Sequence, residues 1–487
     1  MWSALTSSPR SRRVVLPLSL LLNLAIILLI VLPPPYYPDR LSRLKLPEID
    51  LEGFDLWECG LCDVNPRLCE ELGSDTLAKA IGFSVSSNIR LRRFLQKASR
   101  GDPFTVAVVG GSVSGGHGLN DLPEGPYYSP RNMHRRVFEH LCDLFPQNDR
   151  VLMEGASEGV NGFVNGAQGG KGSNYFSMCF GEHIPEDVDL ILLELTINDE
   201  LHMGIPQPYE LMLRGLLDLP SQPAILSMQI FALMFGSIAL GGDLHESFSQ
   251  YYDIPIVSLR NVLLHQALDN VTLVQELFVN KGPIEGESLE NVDLRHLSGK
   301  GHALMADLVN AYIDGQKCAM DVEDSWEEDY TSAPLPRLRL FQKYDPYATN
   351  PTLKPDCFSM DGTKHPLVPS QNEGWRPWNW KNKNYLIADQ PGSTFTVPFH
   401  SSFGTVSLYY LRSSEFGLGS VSCWVDEDKE LAQKAEGYWV HEFNIGQTLN
   451  VREDLQPGEH KLHCELLATS ADPGKGTEFR VISVMSI

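Results

Sequence analysis

Basic residues are scarce in this sequence. Of 487 residues, 39 are Lys or Arg and 62 are Asp or Glu, a formal net charge of -23. A nucleic-acid partner needs a basic surface to neutralise its phosphates, so nucleic acid is excluded as the main partner. Internal repeats and long low-complexity tracts are also missing. Charged residues make up only 21% of the chain, and its apolar content is ample for real cores, so most of it should fold. Metal-ligand spacing is poor. Cys59, Cys62 and Cys69 cluster, but a zinc site needs four ligands and no histidine is near them, so disulfides are expected there and no metal.

Long apolar runs are confined to one place. Residues 14-VVLPLSLLLNLAIILLIVLP-33 are almost wholly apolar and uncharged, long enough to cross a bilayer as a helix. Arg10, Arg12 and Arg13 precede the run, so the positive-inside rule leaves the N-terminus cytosolic. A cleaved signal peptide is the rival reading, but no small-x-small cleavage site stands before Pro33. The expectation is a single-pass type II membrane protein whose body lies in the secretory lumen (Golgi or ER) or at the cell surface. Asn270-Val271-Thr272 is a glycosylation acceptor in keeping with that compartment, whereas Asn350 is disqualified by Pro351. Nine cysteines in an oxidising compartment favour disulfides. Cys423 and Cys464 lie in two strand-like runs and are expected to pair. The odd count leaves at least one cysteine free or paired between chains.

Segment character divides the chain into a tail and anchor (1–33), a proline-rich stem with a cysteine-containing lead-in (34–100), an α/β domain (101–318), an acidic then proline-bearing linker (319–373) and a strand-rich domain (374–487). A helix is expected over 86–101, capped by Ser86 or Ser87. From Phe104 apolar strands (104–109, 188–195, 223–232, 254–259) alternate with helices (about 130–144, 207–218, 301–314). This pattern predicts a parallel sheet covered on both faces, a three-layer α/β/α sandwich. Six short runs between 394 and 487, separated by turn residues, predict an antiparallel β-sandwich. Trp375, Trp378 and Trp380 read as the core of a domain junction, with sugar stacking as the alternative.

The first strand runs into 106-VAVVGGSVSGGHG-118. A P-loop is excluded because Gly116 and His117 stand where its lysine and hydroxyl residue belong. The G-x-G-x-x-G spacing of a dinucleotide fingerprint is absent, and Gly110-Gly111-Ser112-Val113-Ser114 lacks the last glycine of a G-x-S-x-G elbow. A nucleophilic serine needs a base, and the base needs a carboxylate to orient it. The segment 293-DLRHLSGKGH-302 offers both, with Asp293 three residues before His296, so that one turn can bring them together.

Four blocks in order resemble the SGNH (GDSL-type) hydrolase family: Gly110-Gly111-Ser112 after the first strand, Asn165 and Gly170 in 165-NGAQGGKGSNYF-176, 196-TIND-199 after a central strand, and Asp293 to His296 before the last helix. The resemblance spans roughly 104–314 and implies a flavodoxin-like α/β domain and an ester-bond hydrolase without cofactor. It implies that Ser112 attacks an ester carbonyl, that His296 is its base and that Asp293 orients His296. It also implies an oxyanion hole made by the backbone N–H of Ser112, that of Gly170 and the amide of Asn198. Gly111 replaces the family's usual acid, and Thr196 replaces a glycine. Gly169 or Gly172 can stand in for Gly170, and Ser114 is the rival nucleophile. Asn198-Asp199 also suits a helix cap, and Asp199 reads as structural. His117, His202, His245 and His302 read mostly as packing or surface histidines.

The sequence therefore points to a serine esterase that removes a small acyl group, such as acetyl, from a glycan or lipid hydroxyl. Two rivals remain: a glycan O-acyltransferase with the same triad, and a non-catalytic glycan-binding protein. The intact Ser/His/Asp set with Asn198 disfavours the latter.

Overall fold

The computed structural model describes residues 59–81, 86–119, 126–199, 201, 204–348, 353–381, 383–441 and 443–487. The lead-in forms three short helices, α1 (Leu61–Val64), α2 (Pro66–Leu72) and α3 (Ser74–Ala78), and then α4 (Ile89–Ser99). Asn88 stands at the N-cap of α4 in the left-handed region (φ 57), one or two residues later than the expected serines.

The next region is built on strands β1 (Thr105–Gly110), β2 (Asp149–Leu152), β3 (Val160–Asn165), β4 (Leu190–Glu194), β5 (Ala224–Gln229) and β6 (Ile256–Ser258). They form one six-stranded sheet in the order β2-β3-β1-β4-β5-β6, and every pairing in it is parallel. Helices α5 (Met133–Leu144), α6 (Ser173–Cys179), α7 (Pro206–Leu217), α8 (Gly242–Tyr251), α9 (Leu259–Asp269), α10 (Val271–Leu277) and α11 (Gly299–Glu323) complete the layers. Strand alternation divides the core. Val106 and Val108 of β1, with Leu190 and Leu192 of β4, face the helices α4, α5, α9 and α11. Ala107, Val109, Ile191 and Leu193 face α6, α7 and α8. A two-stranded ribbon, β7 (Phe278–Asn280) with β8 (Val292–Leu297), precedes α11.

The chain crosses β1 in the sheet order between β3 and β4, so the topological switch point lies at the carboxyl ends of β1 and β4. Ligands of open α/β sheets bind at that place.

The C-terminal strands are β9 (Asp356–Ser359), β10 (Gln371–Glu373), β11 (Arg376–Trp380), β12 (Lys383–Ala388), β13 (Thr394–Ser401), β14 (Val406–Arg412), β15 (Ser420–Val425), β16 (Gln433–Glu436), β17 (Ile445–Arg452), β18 (Gly458–Leu466) and β19 (Phe479–Ser486). Two sheets, β10-β13-β18-β15-β16 and β11-β12-β19-β14-β17, pack as an antiparallel sandwich, with β9 paired to β19. The expected linker 319–373 therefore divides differently. Its first residues extend α11 to Glu323, and β9 and β10 belong to the sandwich. These strands are short and partly polar, and they form only because a neighbouring strand supplies the hydrogen bonds.

The sandwich shares a core with the α/β region. Tyr385, Ile387, Tyr409, Leu411 and Met485 are buried in one cluster with Tyr175, Phe176, Tyr209 and Leu213. The Cys179–Cys357 disulfide joins the end of α6 to β9. Cys59–Cys318 ties the lead-in to α11, Cys62–Cys69 closes a local loop, and Cys423–Cys464 links directly paired residues of β15 and β18. The free cysteine is Cys142, which is buried. Asn270 is exposed at the N-cap of α10, where its side chain accepts from the Leu273 N–H at 3.0 Å.

Among the described residues, no helix is long and apolar enough to cross a membrane. The expected single-pass type II placement, with its lumenal or cell-surface body, is corrected on that finding. The run 14–33 that prompted it lies outside the described residues.

The disulfide between Cys179 and Cys357 closes a loop with a sequence separation of 178. Cross-links over long loops commonly contribute about 2–4 kcal/mol. The Cys179→Ser/Cys357→Ser double variant should lose about that much unfolding free energy in guanidinium titrations under non-reducing conditions. An unchanged midpoint would refute this.

Candidate active site

Ser112 follows β1 by two residues, at the start of a tight turn. The turn is closed by the Gly115 N–H on the Gly111 carbonyl (3.0 Å), the Gly116 N–H on the Val113 carbonyl (2.8 Å) and the His117 N–H on the Ser112 carbonyl (3.0 Å). Gly116 holds φ +74, and a Cβ there would stand 2.5 Å from the Pro126 carbonyl oxygen, so glycine is required. Side chains brace the turn from outside. The Asn132 amide donates to the Ser114 carbonyl at 2.9 Å, and the Asn165 amide donates to the same oxygen at 3.1 Å and to the Tyr127 carbonyl at 2.9 Å.

The Ser112 hydroxyl lies 2.8 Å from His296 Nε2. His296 Nδ1 in turn lies 2.8 Å from Asp293 Oδ1. With the proton on Nδ1 donated to the carboxylate, Nε2 is left as the acceptor for the serine O–H. Asp293 Oδ1 also accepts the backbone N–H of His296 (2.9 Å) and of Arg295 (3.2 Å). Lys281 Nζ stands 3.1 Å from Oδ2. This fold-back requires Leu294 to adopt φ 57, a left-handed conformation that costs a non-glycine residue about 1–2 kcal/mol. The Leu233 N–H on the Leu294 carbonyl (2.8 Å) helps to hold it there.

Burial dominates the electrostatics. It pushes the His296 imidazolium down, and Asp293 only partly opposes that, with Arg295 and Lys281 adding to the depression. Burial alone would raise Asp293, but the hydrogen bonds and charge of His296, with Lys281, hold it well below the usual carboxylate range. The pair therefore rests as carboxylate and neutral imidazole at neutral pH. His117 packs against His296 with ring centroids 4.1 Å apart. Desolvation of its ring, followed by the charge of His296, pushes its own pKa down to about 4.

Three expected donors have no hydrogen-bond partners among the described residues: the backbone N–H of Ser112, that of Gly170 and the side-chain amide nitrogen of Asn198. The Gly169-Gly170 bend approaches the serine, since a Cβ on Gly169 would lie 3.7 Å from Ser112 Cβ. Gly170 holds φ +79. Gly172 faces the other way, and its Cβ would stand 2.3 Å from Asp199 Oδ1. Asn198 lies against Gly111, where a Cβ would come within 1.9 Å of its Oδ1. The unusual glycine thus has a steric cause: the acid found there in the resembling family would displace the Asn198 side chain.

Other candidates fall into structural places. Ser114 is fully buried, and its hydroxyl donates to Glu194 Oε2 at 3.0 Å rather than to an imidazole. Asp199 accepts the Ser173 N–H at 2.7 Å and holds His245 Nε2 at 2.8 Å. His245 stacks on Tyr209 at 3.7 Å. His302 is buried in the first turn of α11, with its Nδ1 accepting the Met133 N–H at 3.2 Å. His202 lies outside the described residues. Trp375 is buried in the sandwich core, while Trp378 and Trp380 pack, half-buried, against the shared core.

Sequence reading missed two groups and named a third, His117, only as a packing or surface histidine. His117 packs on His296. Glu194, buried at the end of β4, accepts from Ser114 and from the Thr196 N–H and hydroxyl (3.1 and 3.0 Å), and burial pushes its pKa up to about 7. A lone acid in the apolar run 190-LILLEL-195 was the available signal. The other missed group is Lys383 of β12, whose Nζ lies 3.8 Å from the Cβ position of Gly170. Among the described residues no cluster of His, Cys, Asp and Glu is arranged to hold a metal.

Neither protein-family models nor curated protein sequences match the chain. Solved structures do. The fold is similar to that of a two-domain esterase (CEX) active on acetylated mannans, at TM-score 0.57 and 17% identity, covering 82% of this chain and 95% of that one. The same esterase co-crystallized with mannopentaose aligns at TM-score 0.57 and 18% identity, over 83% and 95% of the two chains. At this identity the likeness establishes a shared two-domain fold.

A direct test of the electrostatics is the His296 titration by NMR. Its pKa should lie below the ordinary histidine value of about 6.5. Asp293→Asn should lower it further, because the raising charge is removed. A value above 7, or a rise in the variant, would refute the reading.

Proposed function

We propose that this chain is a serine esterase that removes a small acyl group, such as acetyl, from a glycan hydroxyl. The observation that carries this is the unbroken Ser112–His296–Asp293 hydrogen-bond chain, at 2.8 Å per link, beside unpartnered donors. His296 takes the Ser112 proton as the hydroxyl oxygen attacks the ester carbonyl, and Asp293 steadies the imidazolium that forms. The carbonyl oxygen becomes an oxyanion, received by the N–H of Ser112, the N–H of Gly170 and the Asn198 amide. His296 then hands its proton to the departing sugar hydroxyl, leaving an acyl-serine. Water, activated by the same imidazole, attacks that acyl group and releases the acid with free Ser112. The glycan substrate is supported by the fold shared with an esterase described as active on acetylated mannans.

Two sets of variants test this. Wild-type protein should hydrolyse 4-nitrophenyl acetate and release acetate from acetylated mannan, and Ser112→Ala should lose on the order of 10^4-fold or more in kcat. An inactive wild type, or an equally active variant, sinks the proposal. Asn198→Ala should cost about 10^2–10^3-fold in kcat, as loss of one oxyanion donor does elsewhere. Gly111→Ala should cost a comparable factor, because its Cβ would occupy the Asn198 amide position. Full activity in Gly111→Ala would remove Asn198 from the mechanism.

A further inference from the structure

The cations around the site outnumber the acids free to meet them. Lys383 enters from the sandwich, half-buried, with Nζ beside Gly170. It makes no hydrogen bond or ion pair among the described residues. The acid that acts on it is Asp361, whose carboxylate is already taken by Lys171 and by the Asn384 side-chain amide at 3.0 Å. Lys171 is itself 5% exposed and next in sequence to Gly170. On the other side, Arg295 stands between Asp293 and His296. Its Nε is buried without a partner. Asp293, the acid that acts on Arg295, is committed to His296, two backbone N–H groups and Lys281.

Arg295 and Lys383 also act on each other and on His117 as like charges. Two partly buried cations, one beside Gly170 and one next in sequence to His296, are costly unless an anion joins them. A buried guanidinium N–H without an acceptor adds to that cost. A carboxylate is the anion that suits them, since arginine offers a planar fork and lysine a point charge.

We propose that Arg295 and Lys383 form an anion subsite that takes a carboxylate carried by the substrate, next to the ester that Ser112 attacks. The proposal rests on the esterase reading for its reaction, but not for its binding. The carboxylate can belong to an acidic sugar ring or to the acyl chain itself.

Kinetics and binding test it separately. Four esters are compared in two pairs: mono-4-nitrophenyl succinate, with its carboxylate on the acyl chain, against 4-nitrophenyl acetate, and acetylated oligogalacturonides, with theirs on the ring, against acetylated manno-oligosaccharides. The ratio of kcat/KM for an anionic ester over its neutral counterpart should fall at least tenfold in Lys383→Gln, mainly through KM. Lys383→Arg should restore it. The arm that shows the effect locates the carboxylate on ring or acyl chain. In calorimetry with Ser112→Ala, oligogalacturonides should bind more tightly than neutral manno-oligosaccharides, and adding Lys383→Gln or Arg295→Gln should erase the difference. Equal binding of acidic and neutral oligosaccharides, or equal losses on both ester classes, overturns the subsite. A Lys383-dependent preference in binding by a protein without esterase activity would leave the subsite standing and remove the reaction.

Discussion

The site depends on one steric constraint, the close approach of two turns that leave neighbouring parallel strands in the same direction. Gly110 of β1 pairs with Glu194 of β4, and both chains then bend over the sheet edge. A Cβ on Gly110 would meet Ser114 Oγ at 2.2 Å, and one on Gly111 would meet Asn198 Oδ1 at 1.9 Å. Only residues without side chains let the Ser112 turn and the Asn198 turn close on each other. The buried Glu194 then links them, accepting from Ser114 on one turn and Thr196 on the other. His296 and Asp293 come later in the chain, on a separate ribbon, and need only reach a serine already fixed in place.

The second constraint is the shared core. The sandwich buries Tyr385, Ile387, Tyr409 and Met485 against α6 and α7, and the Cys179–Cys357 bridge crosses the same junction. Lys171, beside Gly170, pairs with Asp361 of the sandwich. The backbone that presents Gly170 is therefore held by both regions. Loosening the junction would move a candidate oxyanion donor as well as lower stability, so the sandwich is part of the site's architecture and more than an appended module.

Sequence showed the central strands clearly, because β1, β4 and β5 are continuous apolar runs bounded by turns. It hid β2 (149-DRVL-152), the exposed edge strand, and β3 (160-VNGFVN-165), an inner and largely buried strand interrupted by two asparagines and a glycine. It hid β9 and β10 because their strand character comes from pairing with β19 and β13. Ser112 was legible only through residues far along the chain, since its own loop matched none of the common glycine motifs. Gly111 looked like a departure from a pattern, and its reason became visible only when Asn198 was seen filling the space. Lys383 could not be found at all. Nothing in 373-EGWRPWNWKNK-383 and the residues after it says that a hairpin of one region brings Lys383 beside Gly170 of another.

The charge of the chain and the charge of the site have opposite signs. A net -23 spread over the surface sets a repulsive field for an anionic ligand at long range. At physiological ionic strength that field decays over about 8 Å, so a ligand in the cleft feels chiefly Lys383, Arg295 and Lys281. Because the net charge is negative while Lys383 and the buried Nε of Arg295 lack acid partners among the described residues, attraction acts after contact rather than before it. Discrimination between acidic and neutral glycans should then reside in how long the bound ligand stays, not in how fast it arrives. Burial is the main cause that lowers the pKa of His296, and Arg295 and Lys281 add to it, which keeps the imidazole neutral. Arg295 thus bears both on the protonation of His296 and on the proposed anion subsite.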